Sequence, residues 1–280
     1  MTHPALVADA VAVVTGGAAG IGLAAAKEFA HRGMRVVLVD VRRGLLDAAA
    51  ESVRQEGAAE VLTFDTDVSD RSAVEGLERA VADRFGGTDI LMNNAGIQPG
   101  SGMFGPVDAW RRILEVNLWG IIHGAQVFAP RRIGRGRPGL IINTGSKQGI
   151  TTPPGDPAYN TSKAAVKAFT EALEHELRNT DGSRISAHLL IPGFVFTDLT
   201  RRDRTDKPAA AWTPEETAAF MIEGLERGDF YILCPDNDVP RSLDEKRMAW
   251  AIGDIIENRP PLSRWHPEWA EAFRRFVEGA

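Results

Sequence analysis

TGGAAGIG, Thr15 to Gly22, stands between an apolar run, Val11–Thr15, and a segment with helical patterning, Ile21–Arg32. Gly16, Gly20 and Gly22 are spaced G-x-x-x-G-x-G. Glycine lets a chain turn tightly, lets backbone approach a ligand, and lets a helix pack hard on a strand. The N–H groups at a helix start carry partial positive charge and favour a pyrophosphate. Alone, such a cluster is an ordinary turn between strand and helix. Its surroundings give it meaning. A second apolar run, Arg35–Asp40, ends in an acid roughly 20 residues past the glycines, where a carboxylate accepts from both ribose hydroxyls of a dinucleotide. Asp40 would repel a 2′-phosphate, so NAD is expected over NADP. Arg42 and Arg43 follow and read as the solvated start of the next helix.

Outward from that turn, apolar runs alternate with amphipathic ones. The strand candidates are Val11–Thr15, Arg35–Asp40, Val61–Phe64, Ile90–Met92, Leu140–Thr144, Ile185–Ile191 and Phe230–Cys234. The helical segments between them are Ile21–Arg32, Leu45–Glu56, Arg71–Phe85, Asp108–Arg131, Ala158–Asn179 and Pro214–Arg227. Alternation of this kind predicts an α/β fold with a parallel sheet covered on both faces. Nearly continuous apolar strands agree, since strands buried on both faces do not alternate. The expected architecture is a single doubly wound Rossmann-type domain with a seven-stranded parallel sheet. Its core runs over about 8–234. A helical C-terminal extension follows over about 235–280, holding Trp250, Trp265 and Trp269, half of the six tryptophans.

Composition narrows the function. The chain has 280 residues, 44% of them hydrophobic, enough for one sizeable core. A formal net charge of −6 gives no electrostatic reason to bind nucleic acid or an anionic membrane. No apolar run approaches the roughly 20 residues of a membrane span, and the N-terminus has no signal-peptide pattern. Cys234 is the one cysteine, so no internal disulfide forms, and a cytoplasmic location is expected. Six scattered histidines, without an H-E-x-x-H or a Cys/His cluster, predict no catalytic metal. The basic run RRIGRGR, Arg131 to Arg137, reads as a solvated loop.

The glycine spacing resembles the shorter branch of the short-chain dehydrogenase/reductase family, which carries Thr-Gly-x-x-x-Gly-x-Gly. Further matches follow in order: FDTDVSD with Asp67 and Val68, NNAG over 93–96, Asn117 in EVNLWG, Ser146 in NTGSKQG, Tyr159 and Lys163 in YNTSK, and IPGFVFTDL over 191–199. The resemblance runs from about Val11 to about Thr200. It implies cofactor contacts at Gly16, Ala19, Gly20, Ile21 and Gly22, at Asp40, and at Asp67 and Val68 beside the adenine. It further implies contacts at Asn94, Ala95 and Gly96, at Tyr159 and Lys163, and at Pro192, Gly193, Val195 and Thr197 in the loop closing over the nicotinamide.

On a helix, residues four apart share a face, so Tyr159 and Lys163 point the same way. A free phenol has a pKa of about 10. A neighbouring ammonium favours the phenolate and moves it towards a useful acid–base range. By resemblance, Tyr159 exchanges the proton, Ser146 orients the substrate oxygen, Lys163 lowers the phenol's pKa and holds the ribose, and Asn117 supports a water on a proton path. The expected activity interconverts a secondary alcohol and its ketone. The substrate segments offer Gln148, Pro154, Phe194 and Phe196, so a hydrophobic, aromatic or alicyclic substrate is expected. No basic residue is clearly placed there to bind a carboxylate or phosphate; Lys147 and the run RRDRTDK over 201–207 are the candidates. A lyase or epimerase retaining NAD, and a non-catalytic nucleotide-binding protein on the same fold, stay open as alternatives. A homodimer or homotetramer is expected, the dimer through the two long helices.

Overall fold

The computed structural model describes residues 3–201 and 203–279. Arg202, within the basic run 201–207, lies outside the described residues. Seven strands form one sheet: β1 Val11–Thr15, β2 Arg35–Asp40, β3 Glu60–Asp65, β4 Ile90–Asn93, β5 Gly139–Thr144, β6 Ile185–Ile191 and β7 Tyr231–Leu233. Their order is β3-β2-β1-β4-β5-β6-β7, and every neighbouring pair is parallel. The expected doubly wound fold is thus observed. Chain order reverses between β1 and β4, and a crevice opens there at the carboxyl ends of the strands.

Helices cover both faces. After α1 Gly20–Ala30, α2 Arg43–Gln55 and α3 Arg71–Phe85 come α4 Val107–Leu114 and α5 Gly120–Ile133. Then follow α6 Gln148–Thr151, α7 Pro157–Asn179, α8 Asp198–Arg201 and α9 Pro214–Arg227. Local chemistry sets several ends. Asp70 caps α3 by accepting from the N–H groups of Ser72 and Ala73, and Gly86 closes it at φ 76°. Thr213 and Glu216 form a reciprocal capping box at α9, with Pro214 in its first turn. The core lies against both sheet faces. Val14, Leu38, Met92 and Ile142 pack on one side with α1 and α9, and Val13, Leu91, Ile141 and Phe128 on the other.

Two expectations need correction. The segment read as one helix over Asp108–Arg131 is broken by a π turn, Glu115–Trp119, between α4 and α5. Wide turns of this kind are concentrated at functional sites, and this one carries Asn117. The short helix α6 had no separate sequence signal, because its four residues are fewer than one amphipathic repeat. The run over 131–137 is a solvated loop only in its later part, from Gly134 on. Arg132 is 4% exposed and donates to the carbonyl oxygens of Leu140 and Asp89, while Arg131 pairs with Glu78 at 2.9 Å. Spacing cannot show that strand ends would present carbonyl oxygens to that arginine.

The extension comprises α10 Arg241–Ile256, two 3-10 turns at Ser263–Trp265 and Pro267–Trp269, and α11 Ala270–Glu278. Trp250 is buried at its centre, with Phe273 and Phe276 at 5.4 and 5.3 Å and the Arg259 guanidinium 3.9 Å over its ring.

Candidate active site

The turn after β1 makes the floor of the site. Gly16 and Gly20 sit at φ 63° and 54°, the left-handed region that glycine takes at no steric cost. A Cβ on Gly16 would lie 2.9 Å from the Ala95 Cα. Thr15 Oγ1 accepts from the N–H groups of Asn94 and Ala95 at 2.9 and 3.1 Å, locking the segment after β4 onto the turn. Helix α1 begins at Gly20 with no side-chain cap, so its first N–H groups remain available to a bound anion.

A cleft of about 400 Å³ opens above this floor. Gly16, Ala19, Gly20 and Ile21 border it, with Asp40, Asp67, Val68, Asn94, Ala95 and Gly96. Ser146, Tyr159 and Lys163 border it from the other side, and Pro192, Gly193, Val195 and Thr197 close over it. Gly22 lies outside the lining. Its Cβ would stand 2.2 Å from the Gly16 oxygen, so that glycine serves helix-on-turn packing. Gln148, Pro154, Phe194 and Phe196 also lie outside the lining. The Phe194–Phe196 strap instead pairs its backbone with Trp212, at 2.9 and 2.8 Å.

Asp40 is 5% exposed at the end of β2. Its carboxylate is already engaged: Oδ1 accepts from the Arg42 N–H and Nε, each at 3.0 Å, and Oδ2 from Arg42 Nη2 and the Ala18 N–H at 3.1 and 3.2 Å. Burial pushes this carboxyl up, yet the bonds from Arg42 and Ala18 outweigh it and hold it below the usual range. Arg42 is therefore no merely solvated residue. It forks onto Asp40 and reaches Asp198 of α8 at 3.6 Å. Its place two residues past a strand-end acid was the signal. Arg112 is a second missed neighbour, bordering the cleft 3.4 Å from Asp67.

Asn117, fully buried in the π turn, does not border the cleft. Its amide oxygen accepts from the Ile97 N–H at 2.8 Å, and its amide nitrogen donates to the Ile97 oxygen at 2.9 Å and to Ser162 at 3.3 Å. It pins the chain just past Gly96. Lys163 Nζ donates to the Thr144 carbonyl at 2.8 Å and lies 5.8 Å from the Tyr159 ring centre. The sequence predicts that this ammonium lowers the phenol's pKa, but burial governs both groups. It pushes Tyr159 up to about 12, against a hydrogen bond from Ser146 and with help from Asp156. It pushes Lys163 down to about 8. The amine is aimed at a carbonyl rather than at the phenol oxygen, which is why the spacing argument overstated its effect.

The arrangement suits a dinucleotide. Uncapped N–H groups face a pyrophosphate position, a carboxylate stands at the ribose end, and a Tyr–Ser pair stands at the other. Among the described residues, no cluster of His, Cys, Asp or Glu has the makings of a metal site, and no helix is long and apolar enough to cross a membrane.

Residues 10–208 match the family model described as short chain dehydrogenase. The 1-deoxy-11-beta-hydroxypentalenate dehydrogenase of Streptomyces arenae is 34% identical over 261 residues, covering 91% of this chain and 92% of that protein. A short chain dehydrogenase/reductase from Burkholderia phymatum, solved in complex with NAD, superposes with a TM-score of 0.82 at 31% identity, covering 93% and 98% of the two chains. An alcohol dehydrogenase from Thermococcus sibiricus, complexed with 5-hydroxy-NADP, gives a TM-score of 0.70 at 27% identity, over 77% and 90%.

Proposed function

The chain belongs to the short-chain dehydrogenase/reductase family, and from that premise we propose that it interconverts a hydrophobic secondary alcohol and its ketone with NAD. The observation that carries this reading is the meeting of Ser146, Tyr159 and Lys163 in one cleft with the glycine turn and Asp40. Bound along that cleft, a nicotinamide dinucleotide supplies or accepts the hydride. The chain's own residues handle the proton and the geometry. The Tyr159 hydroxyl gives its proton to a ketone oxygen or takes one from an alcohol. Ser146 hydrogen-bonds the same oxygen and fixes its direction. A phenol kept neutral by burial is the form that donates to a ketone. Lys163 keeps a positive charge near that oxygen and holds the ribose side of the cleft. Asn117 fixes the Gly96–Ile97 backbone beside Lys163, where a water can link the amine to solvent.

Ile97, Val116 and Leu199 at the cleft support a hydrophobic, aromatic or alicyclic substrate. The relatives named for a hydroxypentalenate fit this class, since their dehydrogenation acts on a hydroxyl. Asp40 supports NAD, because its carboxylate engages Arg42 and so leaves no free guanidinium at the ribose end for a 2′-phosphate to pair with. We propose a homodimer contact on α4, α5 and α7, with Trp119 of the π turn between α4 and α5 51% exposed.

A panel of aromatic and alicyclic secondary alcohols, offered with NAD and with NADP, tests the reading through absorbance of the reduced cofactor. Tyr159→Phe should lower kcat by about 10²–10⁴-fold while binding of NADH, followed by fluorescence, stays unchanged. Turnover at the parent rate would remove Tyr159 from the mechanism.

A further inference from the structure

A second, smaller cavity of about 60 Å³ lies beneath the C-terminal extension. Lys147, Asp244, Arg247 and Arg264 line it, with Ile150 and Met248 among its apolar neighbours. None of its lining residues borders the cleft described above. The volume is several times the roughly 10–15 Å³ that one water needs.

Its charges do not balance. Lys147 Nζ lies 2.6 Å from Asp244 Oδ2 and 3.2 Å from Asp236 Oδ2, so one ammonium takes both nearby carboxylates. Arg247 and Arg264 have no carboxylate within ion-pair distance among the described residues, and Arg247 Nε is buried with no hydrogen-bond partner among them. Arg264 is held in place by stacking over Trp265 and Phe273, at 4.7 and 5.2 Å. Burial first, and the neighbouring Arg247 second, push its pKa down to about 10, with Asp244 acting the other way. Sheltered guanidinium groups without a carboxylate in direct contact are costly, and their forked donors match the geometry of an oxyanion.

We propose that this cavity is a binding site for a small oxyanion, held by Arg247 and Arg264 between α10 and the segment that follows Ser146. Its size admits a carboxylate group or an inorganic oxyanion and excludes a nucleotide. A free inorganic ion and the carboxylate of a small organic acid offer the same chemistry.

Sodium sulfate and sodium acetate, titrated separately into the full chain at constant ionic strength, separate the two sources through the melting temperature. The expected result is a saturable rise with a millimolar midpoint. Saturation in sulfate alone points to an inorganic ion, and saturation in acetate to a carboxylate; both support the site. Arg247→Met and Arg264→Met should each raise the midpoint at least tenfold, while Arg137→Met, on an exposed loop, leaves it unchanged. NADH binding, measured in parallel, reports whether each variant is folded. Should neither methionine variant fold, Arg247→Lys and Arg264→Lys, which lose the fork but keep the charge, should raise the midpoint several-fold. A rise that stays linear in both salts, or one whose midpoint every folded variant retains, overturns the proposal.

Discussion

Lys163 carries an amine that is almost fully buried, and the fold bears the cost. Depression of its pKa from 10.5 to about 8 corresponds to about 3 kcal/mol at neutral pH. The hydrogen bond to Thr144 returns about 1 kcal/mol. Lys163→Met should therefore be more stable than the parent by about 2 kcal/mol at pH 7 in urea unfolding, while losing turnover. The sign follows from proton counting. Between about pH 8 and 10.5 the unfolded amine holds a proton that the folded one has released, so the parent gains stability as pH rises. The variant's advantage is full below pH 8 and gone above 10.5; an advantage independent of pH would show that burial of the charge is not its source. Asp40 works by charge as well. With Arg42 forked onto it, the pair is nearly neutral, and removing the carboxylate leaves a free guanidinium beside the ribose position. Asp40→Ala should raise the NADP to NAD ratio of kcat/KM about tenfold, or ~1.4 kcal/mol. An unchanged ratio would remove Asp40 from cofactor choice.

Elements hold these side chains by close backbone approach. Helix α5 runs so near β4 that a Cβ on Gly124 would stand 2.2 Å from Asn93 Oδ1. Asn93 in turn donates to Asn143 Oδ1 at 2.9 Å, so it cannot simply turn away. Gly124→Ala should cost about 1–3 kcal/mol, read as a lower denaturation midpoint with an unchanged slope. An alanine tolerated without loss would mean that α5 can move outward. The strap after β6 is fixed in a similar way: Asp236 Oδ1 accepts from the Phe194 N–H at 2.6 Å and fills the space where Gly193 lacks a side chain. Periodicity predicted α3 and α9 to the residue, because their caps and glycine stops are local. It could not show the π turn at Glu115–Trp119, whose Asn117 bonds across to Ile97, 20 residues away in the chain.

At the scale of the whole molecule, the extension is a small assembly of its own. Trp250 gathers Trp269, Phe273, Phe276 and Arg259 around one ring, while α11 buries none of its residues. Trp250→Ala should cost about 3–5 kcal/mol of local stability. Hydrogen exchange would then show 241–279 opening while the amides of β1, β4 and β5 stay protected and NADH still binds. Loss of protection across the sheet would show instead that extension and core fold as one unit. By itself, the sequence determined the alternation of strands and helices, the parallel sheet, the glycine turn, and the candidate Ser–Tyr–Lys set, because each is written in local spacing or residue type. Tertiary structure alone decided that Arg42 occupies Asp40, that burial rather than Lys163 sets the phenol, that Phe194 and Phe196 leave the cleft lining, and that two arginines meet under the extension. Those outcomes depend on desolvation and on groups from distant segments arriving at the same point, and neither distance nor exposure to water is encoded in the spacing of residues along a chain.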